Sequence, residues 1–390
     1  MRECKMSVKV CISQDTGGGR LGGHLTQYAF TGLPGVEIAA LADSNPDAGE
    51  RYLLTGAKRL YRSFHEMVEQ ENPDIVILCS RLPMEHYEQI RYALLHGCNI
   101  LCEKPLAETL PQVDELVSLA HRTGKLVQMA HLARFAPAFR EMKRMIESGG
   151  IGRVLTCILR GKEDYRGGGE DMQVLGTHIL DAAAWIFGMP EQVYSDIRWR
   201  GRPITAGDVL ETREPVGPCG GDEVLSFYRF ADGVNGIFTS RRVIDKGAAR
   251  FGITVCGTTG SLTIRYTGDR TLRLCRDFPV PVEDQAEFRT VDLPEEPAIP
   301  DAIPLDHEKL GIDMTRGDHR YFVENNRRAA WNLLRAVEDR EPLTAGIESA
   351  LASLEMITGA YQSALKHVPV AFPLCDRRHP LAAEPRKGKE

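Results

Sequence analysis

The chain has 390 residues and a formal net charge of −6, with an isoelectric point near 6.0. This length predicts two domains, because single hydrophobic cores stop growing at roughly 250–300 residues. The acidic balance, without a long basic run, argues against a nucleic-acid or anionic-membrane partner. No apolar segment follows Met1, so neither a signal peptide nor a membrane span is expected. The ten cysteines show no C-x-x-C spacing, which favours buried thiols in a reducing, cytoplasmic compartment.

The first third of the chain alternates predicted strands with predicted helices. A Ser-x-x-Glu capping box at Ser63 and Glu66 opens one helix, and Gly97 ends another. Alternation at this spacing predicts a parallel sheet with right-handed crossovers. Residues 1–131 are therefore assigned to a Rossmann-like, dinucleotide-binding domain with a doubly wound sheet. The predicted strands lie at residues 8–12, 36–42, near 60, 74–80, 99–102 and 125–130, and the helices at 23–33, 46–55, 84–96 and 109–124, with one more beginning at 63.

The loop after the first strand contains G-x-G-x-x-G at Gly17, Gly19 and Gly22. Glycines there let the backbone approach a pyrophosphate, which then lies at a helix N-terminus. Asp43 follows at the end of the second strand, where a carboxylate can accept both ribose hydroxyls and repel a 2′-phosphate; NAD is therefore favoured over NADP. Residues 13–16 separate the strand from the first glycine, whereas the usual fingerprint has its glycine almost at the strand end. The alternative to a cofactor site is that the glycine loop binds no ligand.

Glu103-Lys104-Pro105 ends the predicted strand at residues 99–102. Loops at the carboxyl ends of parallel strands are where doubly wound sheets bind ligands. Pro105 cannot extend a central strand and holds the preceding lysine in an extended conformation. The triplet therefore indicates that Lys104 is aimed at a ligand.

Beyond about residue 131 the pattern becomes one of half-exposed antiparallel strands. It predicts that residues 132–390 form an α+β domain with a large open antiparallel sheet. A stretch rich in proline and acid at 278–314 predicts an extended arm that can cross a neighbouring subunit. The candidate strands are 154–160, 193–199, 224–230, 236–240, 251–256, 261–266 and 271–275, and helices are expected at 137–148, 321–338 and 346–366.

Several segments together resemble the glucose-fructose oxidoreductase, inositol dehydrogenase and MocA (Gfo/Idh/MocA) family. They are the glycine loop, ALAD at 40–43, PDIVILCSRLPMEHYEQIRYALLHGCNILCEKPLAET at 73–109, Arg134-Phe135, the GGIG turn at 149–152 and LGTHILDAAAWIFGMPEQV at 175–193. The resemblance implies an NAD(P)-dependent oxidoreductase whose second domain binds the substrate and assembles a homodimer or homotetramer. It places Lys104 beside the nicotinamide and His178 facing it, where the domains meet. The expected cofactor-binding residues are Gly17, Gly19, Gly22, Asp43, Ser80, His86, Glu103, Lys104 and Pro105.

Two features near His178 depart from the family or leave alternatives open. The family often has an aspartate one helical turn before the histidine, and Val174 stands there. Asp181 matches the family's His-x-x-Asp and is a third catalytic candidate, although a carboxylate that caps neighbouring backbone is equally consistent. Glu170 and Asp171, in a glycine-rich loop just upstream, can supply the missing acid. Without the family pattern, His178 would be read as a packed core histidine.

These residues predict an NAD-dependent dehydrogenase that transfers a hydride from a secondary hydroxyl of a sugar, glycoside or polyol. Lysine and histidine can both exchange a proton with that hydroxyl. A redox-neutral glycosidase, which oxidises transiently, eliminates the aglycone and returns the hydride, is the alternative that Val174 leaves open. A non-catalytic cofactor-binding regulator is disfavoured by the presence of both Lys104 and His178. No histidine spacing indicates a metal site. The expected substrate contacts are Arg134, Tyr165, Arg166 and His178, with Lys162, Glu163 and Asp164 in the same charged cluster, which otherwise reads as a solvated loop.

Overall fold

The computed structural model describes residues 7–16, 24–242, 247–276, 287–338 and 340–382. Gly17, Gly19 and Gly22 therefore lie outside the described residues. The regular helices, in chain order, are α1 (Phe64–Glu71), α2 (Pro83–Leu95), α3 (Leu110–Thr123), α4 (Pro137–Glu147), α5 (Gly169–Asp171), α6 (Thr177–Phe187), α7 (Gly317–Val337) and α8 (Ile347–Lys366).

The chain divides into two compact units. The first comprises Met1–Ala107, Gln112–Pro137 and Pro294–Ala350, and the second Glu108–Pro111, Ala138–Leu293 and Leu351–Glu390. This division differs from a boundary after residue 131, because the stretch 294–350 belongs with the N-terminal sheet. From Pro294 onwards the arm packs there through apolar side chains: Leu305 and Ile312 form a cluster with Val323 of α7, Leu25 and Tyr28.

Six parallel strands form the sheet of the first unit, in the order β3-β2-β1-β4-β5-β6. They are β1 (Val8–Ser13), β2 (Val36–Ala42), β3 (Arg59–Tyr61), β4 (Ile75–Leu78), β5 (Asn99–Cys102) and β6 (Val127–Met129). β4 and β5 are buried along their whole length, as expected for strands covered on both faces. The Rossmann-like fold is thus confirmed. Because the strand order reverses between β1 and β4, a crevice for a ligand is expected outside their carboxyl ends.

Two of the predicted helices are instead short 3₁₀ segments. Thr26–Tyr28 replaces the helix expected at 23–33, and the chain turns soon afterwards at Gly32 and Gly35, both with positive φ. The segment Pro46–Thr55 is kinked at Gly49, whose φ of 58° is incompatible with a continuous α-helix. The Ser63 cap is confirmed, since its side chain accepts the N–H of Glu66 at 3.4 Å.

Ten strands form the sheet of the second unit, in the order β15-β14-β13-β12-β7-β11-β10-β8-β16, with β9 paired to β8. Neighbouring strands are antiparallel except for β7 and β11, which are parallel, so the sheet is mixed at that one pair. The strands are β7 (Val154–Arg160), β8 (Gln192–Trp199), β9 (Arg202–Pro203), β10 (Glu223–Arg229), β11 (Asn235–Arg241), β12 (Gly252–Gly257), β13 (Ser261–Arg265), β14 (Arg273–Cys275), β15 (Arg289–Thr290) and β16 (Val370–Ala371).

One face of this second sheet is covered and the other is open within the unit. On the covered face Tyr228 is buried, and its hydroxyl donates to the carbonyl of Met356 in α8 at 3.2 Å. On the open face Tyr194, Phe227, Ile237 and Ile158 stand opposite one another across four neighbouring strands. Tyr194 and Phe227 are 45% and 44% exposed. The result is an apolar row across the open face.

Two absences hold for the part of the chain that the structure describes. No helix there is long and apolar enough to cross a lipid bilayer. No group of three or more histidine, cysteine or carboxylate side chains there is arranged to bind a metal ion.

Candidate active site

A cavity of about 270 Å³ opens at the carboxyl edge of the first sheet, beside the point where the strand order reverses. The hydroxyl of Ser80 is buried and has no hydrogen-bond partner among the described residues. An orphaned polar atom lining a cavity fits the polar groups of a ligand, so the residues present here suit a dinucleotide. The cavity is lined by Gln14, Asp15, Thr16, Gln27, Tyr28, Arg51, Leu54, Thr55, Cys79, Ser80 and Leu310.

Asp43 lies at the end of β2 beside this cavity but is only 1% exposed. Its Oδ1 accepts the N–H groups of Thr16 at 3.2 Å and Asn45 at 3.0 Å. Its Oδ2 accepts the hydroxyl of Thr16 at 2.7 Å and the amide of Gln14 at 3.4 Å. Asp43 therefore holds the loop that follows β1.

Glu103 and Lys104, directly after β5, are each 1% exposed, and the Lys104–Pro105 peptide bond is cis. Glu103 accepts the hydroxyl of Thr26 and the N–H of His24. Burial alone would raise the pKa of Glu103, but His24, Thr26 and Lys104 outweigh it and hold that pKa at about 2. A permanent carboxylate therefore adjoins Lys104.

His86, in α2, joins the ends of two neighbouring strands. It is fully buried, with Nδ1 2.6 Å from the carbonyl of Pro105 and Nε2 2.8 Å from that of Ser80. Burial lowers the pKa of His86, while the two carbonyl contacts oppose that shift. Both ring nitrogens face backbone, so His86 positions Ser80 and Pro105 from behind the cavity wall.

Arg134 also belongs to the first unit, away from the cavity at the carboxyl edge. Its guanidinium donates to the carbonyl of Thr344 at 3.1 Å. It lines a separate hollow of about 410 Å³ beside β6, together with His121, Lys125 and Ser349. The structure thus places Arg134, an expected substrate contact, beside the start of α8.

In the second unit, His178 and Asp181 lie on α6. Asp181 is buried and His178 is half-buried; the hydroxyl of Tyr266 donates to the carbonyl of His178 at 3.1 Å. A π-turn, Met172–Gly176, precedes α6. Such turns are frequent at functional sites, but the residue pattern does not predict this one.

The π-turn carries Val174 and Gln173, both buried. Gln173 donates from Nε2 to the carbonyl of Val216 at 3.2 Å, while its Oε1 is buried without a partner among the residues described. Sequence reasoning missed Gln173. The only signal was its position one residue before Val174, where an acid was expected.

Asp171 is fully buried at the start of this helical segment. Its Oδ2 accepts the hydroxyl of Ser240 at 2.5 Å and the N–H of Glu163 at 3.1 Å. Its Oδ1 is buried and unbonded within the described ranges. Burial raises the pKa of Asp171. A Cβ at Gly161 would lie 2.2 Å from Oδ2, so only glycine fits there.

Glu170, the other upstream acid, serves the backbone. It is buried, and its Oε1 accepts the N–H groups of Arg213 at 2.9 Å and Glu214 at 3.2 Å. Burial raises the pKa of Glu170. The hydrogen bonds of Glu170 stabilise the loop between β9 and β10. Of the two acids, Asp171 is therefore the better candidate for handling a proton.

The charged cluster at 162–166 is an ion-pair network rather than a solvated loop. Arg166 is 6% exposed and bonds Asp164 at 2.7 Å and Glu214 at 2.5 Å. Tyr165 is 48% exposed, with the guanidinium of Arg213 4.6 Å from its ring centre. Tyr165 is therefore the most exposed of the expected contacts in this cluster, while Arg166 is engaged by two carboxylates.

Comparison with known proteins decides the family. Residues 16–131 match the family model described as an oxidoreductase family with an NAD-binding Rossmann fold, and residues 139–263 match the GFO/IDH/MocA C-terminal domain. The chain belongs to the Gfo/Idh/MocA family. The first match begins at residue 16 and so leaves out β1 and the loop as far as Asp15.

Among Gfo/Idh/MocA relatives, D-glucoside 3-dehydrogenase of Escherichia coli K12 is 28% identical over 172 residues, which are 40% of this chain and 48% of that protein. The chain thus spans about half the length of this relative. Levoglucosan dehydrogenase of Pseudarthrobacter phenanthrenivorans is 27% identical over 308 residues, 70% of this chain and 78% of that protein. A solved levoglucosan dehydrogenase complex with NADH and levoglucosan shares the fold, with a TM-score of 0.68 at 21% identity, covering 94% of this chain and 100% of that one.

The buried Glu103 of this Gfo/Idh/MocA protein generates a stability prediction. Its pKa is lowered from 4.5 to about 2 in the folded protein, so its stabilising contribution is present above pH 4.5 and lost as the pH falls towards 2. Glu103→Gln should lower the free energy of unfolding at pH 7 by on the order of 2–3 kcal/mol. Urea unfolding at a series of pH values should show this deficit shrinking below pH 4.5.

Glu37→Gln is the matched control, because Glu37 pairs with Lys58 at an exposed site and such pairs contribute little. A deficit for Glu103→Gln that stays constant between pH 7 and pH 2 would show that packing, and not the ionised carboxylate, is what the substitution removes.

Proposed function

We propose that this protein is an NAD-dependent dehydrogenase that takes a hydride from a secondary hydroxyl of a sugar, glycoside or polyol. The observation that carries the proposal is the buried Lys104 at the carboxyl end of β5, in the chain segment where a doubly wound sheet binds its ligand. The dehydrogenases found among the relatives support the substrate class.

The nicotinamide, when bound, supplies the hydride acceptor. The chain's own residues hold the reacting hydroxyl and carry its proton: Lys104 through Nζ, and His178 through its imidazole. Ser80, with its orphaned hydroxyl, and the backbone fixed by His86 and Glu103 support the cofactor. Asp171, with its raised pKa, is the acid proposed in place of one at Val174.

NAD is favoured over NADP because two carboxylates, Asp15 after β1 and Asp43 after β2, stand at the carboxyl ends of these neighbouring strands. Negative charge there opposes a 2′-phosphate. A cytoplasmic location is proposed from the cysteines: those described are thiols rather than disulfides, all buried except Cys375, as suits a reducing compartment.

Incubation of the protein with NAD and a panel of sugars, glycosides and polyols tests the proposal. Net NADH should form with at least one compound, and Lys104→Ala and His178→Ala should each lower its turnover by roughly 10²–10⁴-fold. The double variant should be little worse than the poorer single variant if both groups serve one step.

Lys58→Ala and His121→Ala are matched controls, since both side chains are more than 60% exposed; they should leave turnover unchanged. Release of an aglycone without NADH would instead identify a redox-neutral glycosidase. Absence of both products across the panel, with NAD bound, would favour a non-catalytic regulator.

We also propose that the open face of the second sheet forms the subunit interface of a homodimer or homotetramer. The apolar row of Tyr194, Phe227, Ile237 and Ile158 is the centre of that interface. Light scattering at micromolar concentration should give a multiple of 43.3 kDa. Phe227→Glu should shift the mass towards a single chain, because it places a charge in an apolar interface.

Leu95→Glu is the control, since Leu95 is an apolar residue of the other unit that is even more exposed than Phe227, at 57%. It should not alter assembly. An unmodified protein that scatters as 43.3 kDa would rule the interface out.

A further inference from the structure

The loop between β9 and β10 is fixed to the chain segment that leads into α6. In this loop Arg213 and Glu214 donate their backbone N–H groups to Glu170, at 2.9 and 3.2 Å. The carbonyl of Val216 accepts the side-chain amide of Gln173 at 3.2 Å. Because Glu170 and Gln173 lie just before α6, this part of the loop is held against the segment that leads into the helix with the catalytic histidine candidate.

The side chain of Arg213 lies on the exposed side of this fixed backbone. Its guanidinium lies over the ring of Tyr165, 4.6 Å from the ring centre, and both residues are exposed. The guanidinium forms no hydrogen bond or ion pair with the residues that the structure describes. A guanidinium that lies over an aromatic ring keeps the N–H groups at its edge available, and their planar fork matches the two oxygens of a carboxylate. Tyr165 therefore holds Arg213 in a conformation that can bind an anion.

Two other cations of the same cluster are already paired with carboxylates of the protein. Arg166, whose guanidinium lies 5.1 Å from the centre of the same ring, contacts Asp164 at 2.7 Å and Glu214 at 2.5 Å. Lys162 contacts Asp164 at 3.5 Å. Arg213 has no such partner among the residues described. Of these three cations, Arg213 is therefore the one whose charge a ligand could neutralise without displacing a carboxylate of the protein.

We propose that Arg213, held on Tyr165, binds a carboxylate group of the substrate, so that this protein prefers acidic sugars such as uronic acids and their glycosides. This rests on the proposed dehydrogenase function and narrows its substrate class. A carboxylate fits better than a phosphate, because a single guanidinium fork satisfies both carboxylate oxygens. Phosphate recognition commonly uses a cluster of arginines, and Arg166 is engaged by protein carboxylates.

The test measures NADH formation by the full-length protein from pairs of compounds that differ only in a terminal CH₂OH or carboxylate group. The pairs are glucose and glucuronate, galactose and galacturonate, mannose and mannuronate, and their methyl glycosides, with the sugar phosphorylated at the same carbon as a third compound in each set. In the set that the protein oxidises, kcat/KM should be roughly 10- to 100-fold higher for the uronate than for the neutral sugar, as expected for a hydrogen bond to a charged group. This preference should shrink at high ionic strength, because Arg213 is exposed.

Arg213→Gln should abolish the preference through a higher KM for the uronate, because a contact away from the reacting bond is equally strong in the ground state and the transition state. Arg213→Lys should keep part of the preference, since lysine retains the charge but not the fork. Arg200→Gln is the matched control, because Arg200 is also exposed and its guanidinium lies 5.1 Å from the ring centre of Trp199. It should leave the preference unchanged.

A preference for the uronate that survives in Arg213→Gln would overturn the inference, as would faster oxidation of the neutral sugar than of the uronate by the unmodified protein. Faster oxidation of the phosphorylated sugar than of the uronate would assign the anion to a phosphate and overturn the inference as well. Each of these results leaves the proposed dehydrogenase function intact. Absence of NADH with every compound would instead overturn that function and, with it, this inference.

Discussion

A buried carboxylate must be compensated, and the compensation of Glu103 organises the first unit. Its partners come from the first crossover, where Thr26 and His24 donate to it. His24 in turn stacks on Phe322, with ring centres 4.5 Å apart, and its carbonyl accepts the amide of Asn326 at 2.8 Å. One chain of contacts thus connects α7 to the residue beside Lys104. Removing Thr26 or His24 would take a hydrogen-bond donor from this buried charge, which is costly.

The same chain of contacts explains why the stretch 294–350 belongs with the N-terminal sheet. The part at 294–314 shows little periodicity that would indicate a docking face, and the contacts of Leu305, Ile312 and Val323 with Leu25 and Tyr28 span almost three hundred residues of sequence. A local sequence pattern can show that a residue is buried, but it does not show which distant residues it packs against. The parallel sheet could be predicted because continuous apolar runs such as β4 and β5 identify strands covered on both faces.

Some features of the candidate site could likewise be predicted from the sequence, and others could not. The position of Lys104 at a strand end follows from Pro105 and the apolar run before it, both visible in the sequence. The role of each carboxylate cannot be predicted in this way. Asp43 has the expected position, yet Thr16 and Asn45 occupy its oxygens. Arg166 is expected to contact the substrate or to lie in a solvated loop, yet Asp164 and Glu214 enclose it. How many hydrogen bonds a side chain accepts depends on which residues the fold places next to it. The local sequence does not show which residues these are.

Two buried carboxyl groups, one in each unit, differ in what surrounds them, and this difference separates their roles. Glu103 has Lys104, His24 and Thr26 beside it, and these neighbours lower its pKa to about 2, so its charge acts as a fixed anchor. Asp171 has neutral donors from Ser240 and Glu163, and burial raises its pKa. A raised pKa brings the charged and neutral forms of a carboxyl group closer in free energy, which favours proton exchange during turnover. Because Val174 offers no proton, Asp171 is the acid that we propose for this step.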